Sequence, residues 1–174
     1  MLTVDVHPPR RPLYVMIKPP IEIAQLIWRL PLTSRSRGVE LLHATMLPLG
    51  DRMAIDGAPL ARLMAALGAL AAARFRIVFD RIEASRDKVL LTGSEPIRGA
   101  LRFQEKLYEV LGSAGLAVPR QAIRPHITLD YRWSGPPGSA PVDPISWQVE
   151  DYVLIESVRG EARHIERGRW PLRS

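Results

Sequence analysis

Two short stretches of this chain share one pattern, His-x-Thr-x: His43-Ala44-Thr45-Met46 and His126-Ile127-Thr128-Leu129. The chain has 4 histidines in 174 residues, so half of them carry a threonine two positions on. In a β-strand, residues two apart point to the same face, and each unit then presents an imidazole and a hydroxyl side by side. Two imidazoles across a cleft supply one general base and one general acid near neutral pH. In-line displacement at a phosphoester uses that pair. One ring takes a proton from the attacking oxygen while the other gives one to the leaving oxygen. Each threonine hydroxyl can donate to a non-bridging phosphate oxygen as charge builds there. This chemistry requires no metal, and neither histidine has a second histidine or a carboxylate at a familiar zinc spacing.

One histidine on a strand is more often a satisfied or surface residue, and threonine there often reports only β-propensity. Two matching units in a basic chain argue for function. In the second strand, read as Arg124 to Tyr131, one face carries Arg124, His126, Thr128 and Asp130, with Arg132 continuing the row. Pro125, Ile127 and Leu129 take the other face, as a cleft-lining strand over a core should. The first strand, read as Leu41 to Leu47 with Pro48-Leu49-Gly50 as its stop, is mixed because Leu41 and Leu47 share parity with His43.

The elements that must hold these strands follow from periodicity and punctuation. Leu13 to Ile17 reads as a strand closed by Lys18-Pro19-Pro20, and Ile21 to Leu30 as a short amphipathic helix before a basic loop, Arg35-Ser36-Arg37-Gly38. Pro59 to Arg74 is Ala/Leu-rich and free of interior proline, hence helical. Phe75–Phe79 and Lys88–Leu91 read as a hairpin, Ile97 to Ser113 as a second long helix stopped by Gly112 or Gly115. Trp133 to Pro144 reads as a long loop, Trp147 to Glu156 as a strand and Ile165 to Leu172 as the last one. Interleaved helices with short connections favour antiparallel pairing, an α+β fold in a single domain spanning 1–174, with 1–12 Pro/Arg-rich and expected to be flexible. His7 falls in that end, and His164, after Gly160, reads either as a solvated turn residue or as one rimming the cleft, the former being favoured.

Bulk properties narrow the function classes. The net charge is +6, carried mostly by arginine, which suits a polyanionic substrate because the guanidinium fork matches phosphate. With no cysteines, disulfides, thiolate metal sites and cysteine nucleophiles are excluded together. No apolar run is long enough for a signal peptide or a membrane span, so a cytoplasmic protein with no membrane, metal or evident protein partner is expected.

At these residues the chain resembles the 2H phosphoesterase superfamily, and more closely its bacterial 2′-5′ RNA ligase-like branch, the RNA 2′,3′-cyclic phosphodiesterases. Leu13 to Pro20 is similar to the opening strand and Pro-Pro turn of that family. Phe79-Asp80-Arg81 and Val89 to Gly93 are similar to its central hairpin, and Trp147 to Ser157 with Arg169 to Leu172 to its closing strands. The resemblance implies a bilobal fold, two antiparallel β-sheets with flanking helices around a central cleft, and one motif per lobe. It implies that His43 donates a proton to the leaving oxygen, that His126 activates water, and that Thr45 and Thr128 hold the phosphate, with no cofactor. The implied reaction opens a 2′,3′-cyclic phosphate on RNA or a nucleotide to a 2′-phosphate, with 2′-5′ ligation as a side activity. Two positions depart from the family. Tyr131, followed by Arg132, stands where an arginine is usual, and Pro48 replaces an aromatic residue. Arg132 and Arg124 are candidates for phosphate contact and Tyr131 for stacking on a base. Tyr14 and Phe79 are candidates either for stacking or for the core. The competing reading is a non-catalytic RNA- or nucleotide-binding module using the same cleft.

Overall fold

The computed structural model describes residues 11–51, 56–158 and 160–174, so most of the expected flexible end, His7 included, lies outside the described residues. Arg11 and Pro12 are ordered: Arg11 donates to the fully buried Glu156 at 3.0 Å, and β1 (Pro12–Ile17) begins at Pro12. That strand alternates as its sequence demands. Leu13, Val15 and Ile17 enter the main core, while Tyr14 and Met16 face the other way. It pairs with β2 (Ala44–Asp51) on one side and β7 (Asp151–Val158) on the other, and β7 pairs with β8 (Arg163–Pro171). A second set of strands is built around β3 (Phe75–Ala84), which pairs with β4 (Val89–Thr92) and β6 (Gly138–Val149); β4 then pairs with β5 (His126–Asp130).

All pairings between these strands are antiparallel, and among the described residues the sheet has 8 strands in the order β6-β3-β4-β5-β2-β1-β7-β8. The α+β class is as expected; the two separate sheets are not. They are one sheet because β2 and β5 lie side by side and share a single backbone pair, Ala44 with Ile127. Both residues are completely buried toward the core, so nothing bulky or charged keeps the two backbones apart. The halves β5-β4-β3-β6 and β2-β1-β7-β8 run outward from this joint in matching order.

Helices α1 (Ile21–Trp28), α2 (Ala58–Ala69) and α3 (Arg98–Ser113) pack on the face that carries the main core. α3 buries Ala100, Phe103, Gln104, Leu107 and Leu111, the three-and-four spacing of one helical stripe. Gly115, at φ +71°, ends it: the Leu116 N–H returns to the Leu111 carbonyl at 2.9 Å, and that of Gly115 to Gly112 at 3.0 Å. α2 stops at Ala69, short of Arg74, because the following backbone bonds instead to the C-terminal segment. The Ala72 carbonyl accepts from the Arg173 N–H, and the Arg74 N–H donates to the Arg173 carbonyl, each at 2.8 Å. Tyr152 locks α2 to the sheet through a 2.6 Å bond from its buried hydroxyl to the Leu67 carbonyl, and burial pushes that phenol up to about 12.

Among the other boundaries that differ from the sequence reading, three have a backbone reason. β2 begins only at Ala44, after a 3₁₀ turn at Val39–Leu41, and continues through Pro48-Leu49-Gly50. Register shifts against β1 on both sides of Tyr14 and Val15 make room for a proline opposite Tyr14. Much of the expected Trp133–Pro144 loop is β6, an edge strand, where proline's missing N–H costs no ladder bond on the solvent side. The expected Trp147–Glu156 strand is two strands broken at Glu150, where the chain passes from one half of the sheet to the other.

Candidate functional site

The backbone pair between Ala44 and Ile127 joins the second residues of the two His-x-Thr units. An antiparallel pair has a local two-fold axis, and this one exchanges His43 with His126 and Thr45 with Thr128. Stepping one residue either way sets His43 alongside Thr128 and Thr45 alongside His126. All four side chains lie on the face opposite the main core and are half-buried, whereas Ala44, Met46, Ile127 and Leu129 are buried beneath them.

The rings are oriented alike. His43 Nδ1 lies 2.6 Å from the Leu41 carbonyl, and His126 Nδ1 lies 2.8 Å from that of Arg124. A carbonyl can only accept, so Nδ1 carries the hydrogen in both and Nε2 is left for chemistry. Neither threonine hydroxyl has a hydrogen-bond partner within the protein among the described residues, which leaves both available to a ligand. Behind this face, the Gln104 amide donates to the Met46 carbonyl at 3.2 Å and the Ile123 carbonyl at 3.1 Å. One buried side chain of α3 thereby ties β2 to the segment leading into β5.

The surroundings of the two histidines differ. The His164 ring meets His43 edge-on at 5.0 Å between centroids, although β8 is three strands from β2, about 14 Å away in a flat sheet. The sheet curls to bring them together over a floor of Met16, Val153 and Ile155. His164 is therefore a half-buried strand residue, not the solvated turn residue expected. Burial is the main cause that pushes His43 down to about 3, opposed by the Leu41 carbonyl and reinforced by His164, Arg37 and Lys18. Burial likewise pushes His164 down to about 4, with Lys18 and Arg37 adding to it. Sequence reasoning places Lys18 in a turn and Arg37 in a basic loop without connecting either to the site. Only the fold brings them beside His43.

The other candidates fall in varied places. Tyr131 is exposed, with the Arg37 guanidinium 4.6 Å above its ring centre. Arg132 is exposed, its backbone N–H held by Asp130 at 2.8 Å. Arg124 is occupied by Glu83 at 3.0 Å and the Gly93 carbonyl at 2.6 Å, so its fork fixes the entry to β5. Phe79 is fully buried in the main core against Trp147, away from the open face. Tyr14 is half-buried on the motif-bearing face, packed against the small apolar floor. Among the described residues no group of three or more His, Cys, Asp or Glu could hold a metal ion, and no helix is long and apolar enough to cross a membrane.

No family model matches this chain, and no curated protein is similar enough to match. Solved structures are similar over nearly the whole length. Escherichia coli LigT complexed with 3′-AMP is 24% identical, with 95% of this chain and 99% of that one covered and a TM-score of 0.75. The fold is that of LigT. A crystal structure described as a phosphoesterase is similar at 24% identity, with coverage of 95% and 99% and a TM-score of 0.74. The protein TT0787 of Thermus thermophilus follows at 22% identity, with coverage of 94% and 98% and a TM-score of 0.73. The LigT fold agrees with the superfamily that the paired motifs resemble, here with one motif on each side of the central joint.

Proposed function

We propose that this chain is a 2H phosphoesterase acting as a metal-independent cyclic phosphodiesterase on the 2′,3′-cyclic phosphate of RNA ends or nucleotides. The observation that carries this reading is the two-fold arrangement of the His-x-Thr units about Ala44 and Ile127, with both rings held by matching Nδ1 bonds. LigT structures complexed with 3′-AMP, ATP or NADP+ agree with a nucleotide in this cleft.

In the proposed reaction His126 Nε2 takes a proton from water as its oxygen attacks phosphorus. The bond from phosphorus to the 3′ oxygen breaks, and His43 Nε2 gives that oxygen a proton. The products are a 2′-phosphate and a 3′-hydroxyl, and the proton gained by His126 returns to solvent. Thr45 and Thr128 donate to the non-bridging oxygens, whose charge grows along this path. Burial disfavours the protonated form of His43, so it must acquire its proton with the substrate, and the negative charge of phosphate raises its affinity for one. The same step with the 5′-hydroxyl of a second RNA end in place of water forms its bond to phosphorus as the bond to the 3′ oxygen breaks, leaving a 2′-5′ linkage, and this accounts for ligation as a side activity.

Hydrolysis of a 2′,3′-cyclic nucleotide in EDTA, compared among wild type, His43→Ala and His126→Ala, tests this reading. Activity surviving either substitution would remove the two-histidine mechanism. Tight binding without turnover by wild type would favour a non-catalytic module, and dependence on added metal would favour a metallophosphodiesterase.

A further inference from the structure

Beside His43 stand three groups that the reaction above leaves unused. Lys18, Arg37 and His164 come from β1's end, the loop before the 3₁₀ turn and β8, and the charges of Lys18 and Arg37 bear on both His43 and His164. His164 Nδ1 is buried and has no hydrogen-bond partner among the described residues, a costly condition for a polar atom unless a ligand completes it. Arg37 stacks on Tyr131, while its N–H edge has no protein partner among the described residues. Its backbone is held as well: its carbonyl accepts from the Trp28 indole at 3.1 Å, and the Ser34 N–H in the same loop donates to the Leu129 carbonyl at 2.9 Å. Lys18 uses one of three ammonium hydrogens, on the Glu40 carbonyl at 2.7 Å. The nearby Glu166 carboxylate is engaged by the Arg169 fork at 3.0 and 2.8 Å, so it does not neutralise this cluster alone.

A cyclic phosphodiester carries one negative charge, and two histidines and two threonines already address it. Two further cations and an unsatisfied imidazole exceed what that group needs. The geometry points to a second phosphate subsite formed by Lys18, Arg37 and His164, which receives another phosphate of the same substrate. This inference rests on the proposed reaction for its substrate, which is then a nucleotide or RNA end with at least two phosphates. Arg37 supplies a fork for two phosphate oxygens, His164 a buried donor and Lys18 a point charge. The Arg37–Tyr131 stack stands where a base adjoining that phosphate can join it.

Calorimetric titration with two product-like ligands, adenosine 2′-monophosphate and adenosine 2′,5′-bisphosphate, tests the subsite without turnover. Wild type is expected to bind the bisphosphate about tenfold or more tightly, the gain of one charge-assisted phosphate contact. In Arg37→Ala, His164→Asn and Lys18→Gln the ratio of the two affinities falls toward one, with Arg37→Ala showing the largest drop. A ratio near one in wild type overturns the inference. So does an equal loss for both ligands in the folded variants, since that assigns the cluster to the reacting phosphate. Wild type that turns over no cyclic nucleotide yet keeps the affinity ratio loses the reaction and retains the subsite; the opposite result does the reverse.

Discussion

The His-x-Thr unit that leads into β2 has the same ring-to-carbonyl bond as the unit at β5, yet the two imidazoles have different neighbours. His43 sits over an apolar floor, edge-on to His164 and near two cations. His126 has Thr92 as its cross-strand neighbour, and the Arg124 side chain near it is turned away onto Glu83 and Gly93. A shared motif thus fixes orientation, while burial among residues gathered from distant strands lowers the proton affinity of His43. Two equivalent histidines can act as acid and base in one step only if their surroundings distinguish them.

The largest expected effect tests whether the two act as a unit. His43→Ala and His126→Ala should each lower kcat for cyclic phosphate hydrolysis by about 10²–10⁴-fold, and the double variant should fall little further. Multiplying losses in the double variant would show independent action. Next come the hydroxyls. Thr45→Val and Thr128→Val should each cost about 10²-fold in kcat, with similar magnitudes because the two-fold axis exchanges them. A large inequality would break the comparison at the level of phosphate contact.

A structural effect follows. Gln104→Leu leaves the Met46 and Ile123 carbonyls unpaired, and chemical denaturation should show a loss of about 1–3 kcal/mol. Unchanged stability would mean that the tie between the strands is not needed. The smallest effect concerns pH and sharpens the contrast in crowding. His164 has its affinity lowered from 6.5 to about 4 in the folded chain. Between those values the unfolded chain binds a proton that the folded chain refuses, so stability falls as pH drops through that window. In His164→Asn, urea midpoints at pH 7 and pH 5 should lie closer together than in wild type. Equal separations would contradict burial as the cause.

β5 is easy to read from sequence because one parity is wholly polar and the other wholly apolar, and the structure keeps that division through His126, Thr128 and Asp130. β2 is harder. Its register shifts against β1 permit Leu47 and Met46 to be buried in succession, which no strict alternation predicts. Pro141 and Pro144 argue for a loop, but an edge strand tolerates them. His164, Lys18 and Arg37 carry no local signal at all, since the curl that gathers them near His43 belongs to the whole sheet. Arg124 shows the opposite case: its parity reads as site-facing, while a carboxylate and a carbonyl on neighbouring elements claim its guanidinium.

The crossing at Glu150 has a consequence for how the chain comes to be folded. The half β2-β1-β7-β8 combines early and late strands, because β1 waits for β7. The other half, β3 to β6, is one continuous stretch of chain from Phe75 to Val149. During synthesis the first motif strand can meet its immediate partner early, but the hairpin that brings His164 to His43 is made last. Such long-range pairing slows folding and makes assembly of the site a late event, so a shortened chain would lose the surroundings of the first histidine before losing either motif.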